Sequence, residues 1–198
     1  ANFFFLYGWL SGDTRSYLLP AENLNFKTDI KDFGINFEYG FDHFFKYQKS
    51  IKPFFSVGIE NLQFNSKGDL FNNNVIPYNY WNDGTIRNLA QDEADNFNST
   101  LIYRDFKYET DLRQKEDTDF GFGKYSQNAF SIPIDAGLDF RISDRIACRL
   151  GTSLHLTTTD FIDNVSSTGT HVIGEKGNDM FTFSYFSLHF DFFSQPKT

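Results

Sequence analysis

The sequence predicts an all-β fold: an antiparallel up-and-down transmembrane β-barrel of about eight strands, with long external loops and short periplasmic turns. Three observations predict it. Hydrophobicity alternates with a period near two in several segments, and no long helical period appears. The polar faces of those segments carry glycines and charges of both signs, which suit the crowded interior of a narrow barrel. The connections alternate between short and long, and following the chain up and down puts every long one at the same end.

The first strand, at about 2–11 in "NFFFLYGWLS", is apolar on both faces, so its phase stays open. The second, at about 28–42, sets Phe33, Ile35, Phe37, Tyr39 and Phe41 against Asp32, Gly34, Asn36, Glu38 and Gly40. The third, at about 51–65, sets Phe55, Val57 and Ile59 against Ser56, Gly58 and Glu60. Beyond Glu60 the phase reverses, and Leu62 and Phe64 become the apolar set. The strand at 127–142 alternates Phe130, Ile132, Ile134, Ala136, Leu138 and Phe140 with Ser131, Pro133, Asp135, Gly137, Asp139 and Arg141. Pro133 lacks a ladder donor and is expected at an edge or a bulge. The strand at 145–160 sets Ile146, Cys148, Leu150, Thr152, Leu154 and Leu156 against Ala147, Arg149, Gly151, Ser153 and His155.

Between these last two strands lies the tight turn Ser143-Asp144-Arg145. Residues facing one side must pair with like parity, so Ile142 and Ile146 should flank it. Ala147 is then opposite Arg141, and Arg149 opposite Asp139. The final strand, at about 179–193, sets Phe186, Leu188, Phe190 and Phe192 against Ser187, His189 and Asp191. Its upper half has the opposite phase, with Phe181, Phe183 and Tyr185 apolar against Thr182 and Ser184. Either a β-bulge sits near Tyr185-Phe186 or the upper half projects beyond a bilayer.

These faces assign Phe33, Ile35, Phe37, Ile132, Ile134, Leu138, Leu150, Leu154, Phe190 and Phe192 to lipid. Glu38, Glu60, Asp135, Asp139, Arg141 and Arg149 are assigned to a charge network in the lumen, where each buried charge needs a partner. A soluble β-sandwich or lipocalin-like binding module is the competing arrangement of the same alternation. The link from His43 to Lys49 is short, whereas about sixty residues, Phe64 to Tyr125, separate two strands. A structureless loop of that length is unusual in a compact soluble domain. Two strands are missing from a count of eight; "STLIYRDFKYET" is the one candidate in the middle segment, unless they precede Ala1.

Composition narrows the function classes. Among 198 residues, 18 Lys+Arg against 26 Asp+Glu give a formal charge of -8, which repels phosphate backbones and argues against nucleic acid. The single Cys148 excludes an internal disulfide and a CxxC pair. No apolar stretch approaches the roughly 20 residues of a membrane helix, and mean hydropathy is -0.44. That measure misses barrels, where only alternate residues meet lipid. Phenylalanine alone accounts for 26 residues, more than a generic soluble domain needs.

Little points to chemistry. His43, His155, His171 and His189 lie in different segments without metal-ligand spacing, so neither a metal nor any other cofactor is expected. Glu38, Glu60, Asp135 and Asp139 could form a catalytic carboxylate pair, but matching to Arg141 and Arg149 explains them better. "QDEADNFN" lacks the spacing of a calcium loop, and the sequons at Asn98 and Asn164 are weak signals. Ser153 and His155 share a face two residues apart, with no third catalytic partner evident. No catalytic residue is assigned, and the chain is expected not to be an enzyme.

"FSLHFDFF" resembles the C-terminal strand that the outer-membrane assembly machinery recognises in Gram-negative barrels. Through that strand and "RISDRIACRLGTSLHLTTTDFID" the chain resembles the small OmpA/OmpW-like "porin family" barrels of Bacteroidota. The resemblance implies an outer-membrane barrel over 1–193, with 64–126 as a long external loop region and 194–198 starting a periplasmic tail. It also implies a peptidoglycan-binding part beyond the tail, as in OmpA-type anchored proteins, and an accessory role in envelope complexes for secretion or outer-membrane protein assembly. The expected partners are membrane lipid and other outer-membrane proteins. A small porin or channel is the competing function.

Overall fold

The computed structural model describes residues 1–19, 23–41, 51–113, 125–143, 145–167, 174 and 176–190. The chain forms β1 (Asn2–Asp13), β2 (Asn25–Gly40) and β3 (Ile51–Gly68), then five two-residue strands: β4 (Phe71–Asn72), β5 (Ile76–Pro77), β6 (Asn79–Tyr80), β7 (Ile86–Arg87) and β8 (Thr110–Asp111). Three long strands complete it: β9 (Asn128–Arg141), β10 (Ile146–Thr157) and β11 (Met180–Phe190). The long strands make one antiparallel sheet in the order β1-β2-β3-β9-β10-β11, with β8 on the end of β3. The sheet curls into a half-barrel. Among the described residues, no strand pairs with the outer edge of β1 or of β11.

The three-residue turn fixes the β9–β10 register as expected: Arg141 faces Ala147 and Asp139 faces Arg149. Observed strands run two or three residues past the expected loop-side ends of β1, β2 and β3, since the extra residues find ladder partners there. The His43 to Lys49 link and Phe192 lie outside the described residues.

Of the two alternatives for each phase reversal, the bulge is excluded. The β10–β11 ladder runs without a break from Ile146↔Phe190 to Leu156↔Met180, so there is no bulge at Tyr185-Phe186. Side chains alternate regularly through β11, with Phe181, Phe183 and Tyr185 on the inner face and Phe186, Leu188 and Phe190 on the outer. In β3 parity is also unbroken: Leu62 and Phe64 are buried on the same inner face as Ser56 and Glu60. What switches is chemistry, not geometry. Outward residues change from Phe55, Val57 and Ile59 to Asn61 and Gln63, while inward ones become apolar. Pro133 is likewise not at an edge. It sits buried in central β9, and β3–β9 pairing lapses opposite it at Gly58 and Ile59, where a ladder donor is lost.

The inner apolar residues form a plug at the loop end: Ile30, Leu62, Phe64, Tyr125, Ala129 and Ile162. Tyr125 stacks between Phe64 and Phe161 at 6.1 and 4.5 Å, and its hydroxyl donates to Asn164 Oδ1 at 3.0 Å. Burial raises the Tyr125 phenol to about 12.

The middle segment is neither structureless nor a barrel strand. "STLIYRDFKYET" contributes only a bridge at Leu101 and the start of β8. Buried Asp69 anchors the segment: Asn25 Nδ2 donates to its carbonyl and its own N–H donates to Asn25 Oδ1. The Asp69 carboxylate accepts from Arg104 Nε at 3.0 Å and from the Phe106 N–H at 3.1 Å. Burial pushes its pKa up while Arg104 opposes the shift. Glu109 accepts the N–H groups of Leu70 and Phe71. Side-chain acceptors thus satisfy backbone donors that no ladder reaches.

Near the other long loop, burial raises Asp179 to about 6, and Asp163 and Asp160 add to this against the hydrogen bond from the Ile162 N–H. A raised folded-state pKa means the folded protein holds its proton to higher pH than the unfolded chain. Stability from this group is therefore full below about pH 4 and falls as pH rises to about 6. Denaturation midpoints of wild type and Asp179→Asn between pH 4 and 7 should converge at low pH, with the wild type falling behind toward pH 7. A constant difference across that range would refute the assignment.

Candidate functional site

The concave face gathers its polar side chains into three tiers. Nearest the short turns, Arg149 donates from Nε to Asp139 Oδ1 at 2.6 Å and from Nη2 to Oδ2 at 2.8 Å. The same guanidinium donates from Nη1 and Nη2 to Glu38 at 2.7 and 2.9 Å. Its Cζ stands 3.8 Å from the Phe54 ring centroid, so two carboxylates and an aromatic face hold one cation. A side chain at Gly137 would collide with the Leu150 carbonyl and Phe54, so the strand approaches closely only with glycine there.

In the middle tier, Asp135 accepts from Ser56 Oγ at 2.6 Å and Asn36 Nδ2 at 3.1 Å. Neutral donors, rather than an arginine, satisfy it. Gly58 leaves room for the Asn36 amide, which a Cβ would strike.

In the third tier, below the apolar plug, Glu60 meets a histidine instead of an arginine. His155 Nδ1 lies 2.5 Å from Glu60 Oε1, and His155 Nε2 lies 2.9 Å from Ser153 Oγ. Phe181 and Phe183 stack on the imidazole at 4.5 and 5.2 Å. Asp32 joins them, with one donor atom from each of Asp32, Glu60 and His155 lying within 4.8 Å of one another. Their exposures are 0 %, 1 % and 1 %.

The six expected lumen charges therefore divide. Glu38, Asp139 and Arg149 come together, Asp135 and Glu60 each have other partners, and Arg141 sits exposed at the rim with Nε donating to the Ser143 carbonyl. The residues assigned to lipid that are described all lie on the convex face: Phe33, Ile35, Phe37, Ile132, Ile134, Leu138, Leu150, Leu154 and Phe190. Sequence reasoning placed Asp32, Ser153 and His155 on polar faces but did not assemble them. Asp32 is one same-face step from Gly34, the ladder partner of Glu60, so the carboxylate pair was readable from register. Contact with His155, which lies beyond β9, needs the curl of the sheet.

Ser153, His155 and Glu60 form the hydrogen-bond chain of a nucleophile, base and orienting carboxylate. Acyl transfer also needs free donors for the oxyanion. β10 is paired through this region with β9 on one side and β11 on the other, which commits its N–H groups sideways. Ser153 itself is 1 % exposed. The arrangement is better suited to holding charge than to attacking a substrate.

A cavity of about 450 Å³ runs beside these tiers, lined by Glu38, Asp135, Arg149, Ser153, His155 and Tyr185 among others, and it reaches Phe5 of β1 and Phe186 of β11 at the open side. Comparison of the chain with protein-family models, curated proteins and solved structures gave no match.

Proposed function

We propose that this chain is a transmembrane barrel of the Gram-negative outer membrane, acting without enzymatic chemistry as a structural anchor or accessory subunit of an envelope complex. One observation carries the reading: the fold is inside-out for water. Aromatic and aliphatic side chains cover the convex face of all six long strands, with Phe3 76 %, Phe33 62 % and Phe186 61 % exposed. Below the apolar plug, carboxylates, hydroxyls and a histidine line the concave face. A contiguous exposed apolar surface of this extent fits lipid and is a severe liability in water. On β9 the apolar face runs from Phe130 to Phe140. Ten steps of about 3.3 Å, tilted by about 40°, span about 25 Å, the height of an outer-membrane apolar band.

The barrel closes with about eight strands, by two added between the free edges of β1 and β11, since open edges do not persist in hydrocarbon. The resemblance to OmpA/OmpW-like barrels favours a peptidoglycan tether through a C-terminal part, with secretion or barrel-assembly machinery as the class of partner. The apolar plug favours this role over a channel, because it interrupts any polar path through the lumen. A soluble binding module would place the aromatic face inward.

The test is gel mobility of the detergent-extracted protein with and without heating. A folded barrel migrates differently before and after boiling, whereas identical mobility would overturn the reading. Gentle solubilisation followed by affinity purification then asks which envelope proteins accompany it.

A further inference from the structure

We propose that Asp32, Glu60 and His155 form a binding site for a divalent transition-metal ion of the zinc–manganese class inside the half-barrel. The three side chains come from β2, β3 and β10, and their donor atoms converge within 4.8 Å. Zinc–ligand distances of about 2.0–2.2 Å place tetrahedral donors about 3.4 Å apart, so small side-chain rotations close the set around one ion. Two carboxylates and one imidazole select this metal class. Magnesium and calcium favour all-oxygen sets, and soft ions want thiolates, while Cys148 lies on the opposite face of β10.

An independent observation points to a missing ligand. Both Asp32 oxygens and Glu60 Oε2 are buried without any hydrogen-bond partner. Ser131, directly across the ladder from Glu60, also has a buried hydroxyl with none. Asp32 has no partner and Glu60 has only His155, so at such depth a further proton or a cation must balance the two carboxylates. One proton shared between the carboxylates could serve two of the three orphaned oxygens and would leave the third without a donor. A divalent ion neutralises both carboxylates and occupies the orphaned lone pairs.

The surroundings are those of a supported ligand. With an ion on Nδ1, the Nε2–H of His155 would donate to Ser153 Oγ, 2.9 Å away, which fixes tautomer and ring orientation. Stacking by Phe181 and Phe183 fixes the ring plane. The cavity that reaches Ser153 and His155 supplies an entry path. Binding would displace the proton that the 2.5 Å approach of His155 Nδ1 to Glu60 Oε1 requires. The inference does not depend on whether the convex face meets lipid.

The experiment uses the full chain folded in detergent, stripped with chelator and titrated separately with zinc and manganese chlorides. Bound metal is counted after equilibrium dialysis, and thermal unfolding is followed in parallel. We expect one saturable ion per chain and a rise in Tm reversed by chelator. Asp32→Asn, which keeps volume and shape, and Glu60→Gln should each weaken binding at least tenfold. His189→Ala, which removes an exposed imidazole bonded to Ser187, should leave it unchanged. His155→Gln adds a third variant where it folds. No saturable uptake, or uptake that persists in Asp32→Asn, would overturn the proposal and leave a proton-sharing carboxyl–imidazole cluster.

Discussion

Replacing Val57 with arginine is expected to cost the folded protein about 2–4 kcal/mol in a bilayer, the range for a cation near the midplane of a barrel's lipid face. Val57 lies mid-band on the convex surface, between Phe37 of β2 and Ile134 of β9. In water the same substitution at a half-exposed strand position would fall within about 0.5 kcal/mol. Urea titration of the protein folded in lipid vesicles measures the difference. Gln63→Arg is the internal control: it shares strand and face but lies where outward residues have become polar, so it should cost no more than about 1 kcal/mol. Equal effects at the two sites would remove the case for lipid on this face.

The second large effect is expected at Arg149. Arg149→Met leaves Glu38 and Asp139 facing each other without their shared cation. Removing one member of a buried ion pair costs about 3–5 kcal/mol. Here the side chains are 15 %, 26 % and 28 % exposed, so water screens part of the loss and about 3 kcal/mol is expected. The triple variant Arg149→Met, Glu38→Gln, Asp139→Asn should recover most of it, because the penalty lies in orphaned charge more than in lost attraction. Denaturant midpoints of the wild type, the single and the triple variants test this. A triple variant no more stable than the single would show that packing of Arg149 on Phe54, not charge, holds the tier together.

How far the molecule could be read in advance depends on the range of the forces involved. Alternation assigns faces because successive side chains in a strand must diverge, and a three-residue turn transmits that parity to the next strand. The pairing of Asp139 with Arg149 follows from those two local facts. The reversals after Glu60 and at Tyr185 were ambiguous because hydrophobicity stands for two environments at once. Leu62 and Phe64 are apolar because they plug the interior, while Ile59 is apolar on the outer surface, and the backbone never changes phase between them. The middle segment was opaque for a different reason. Asp69, Arg104 and Glu109 organise it through bonds to backbone groups that follow no period. The Asp32–Glu60–His155 cluster spans strands separated by β9, and only curvature, a property of the whole sheet, brings them into contact.

In a closed barrel the apolar plug would make the interior a cup and not a tube. Ile30, Leu62, Phe64 and Tyr125 seal the end beneath the long loops, whereas the cavity below continues past Arg149 and Glu38 toward the short turns. In a barrel closed as proposed, a solute or ion reaching His155 would arrive and depart through one mouth. Its exchange rate would then depend on the charged tier at that mouth, where one arginine stands between two carboxylates. In an oriented membrane the two compartments would be unequal, and only the one facing the short turns would equilibrate with the buried carboxylates.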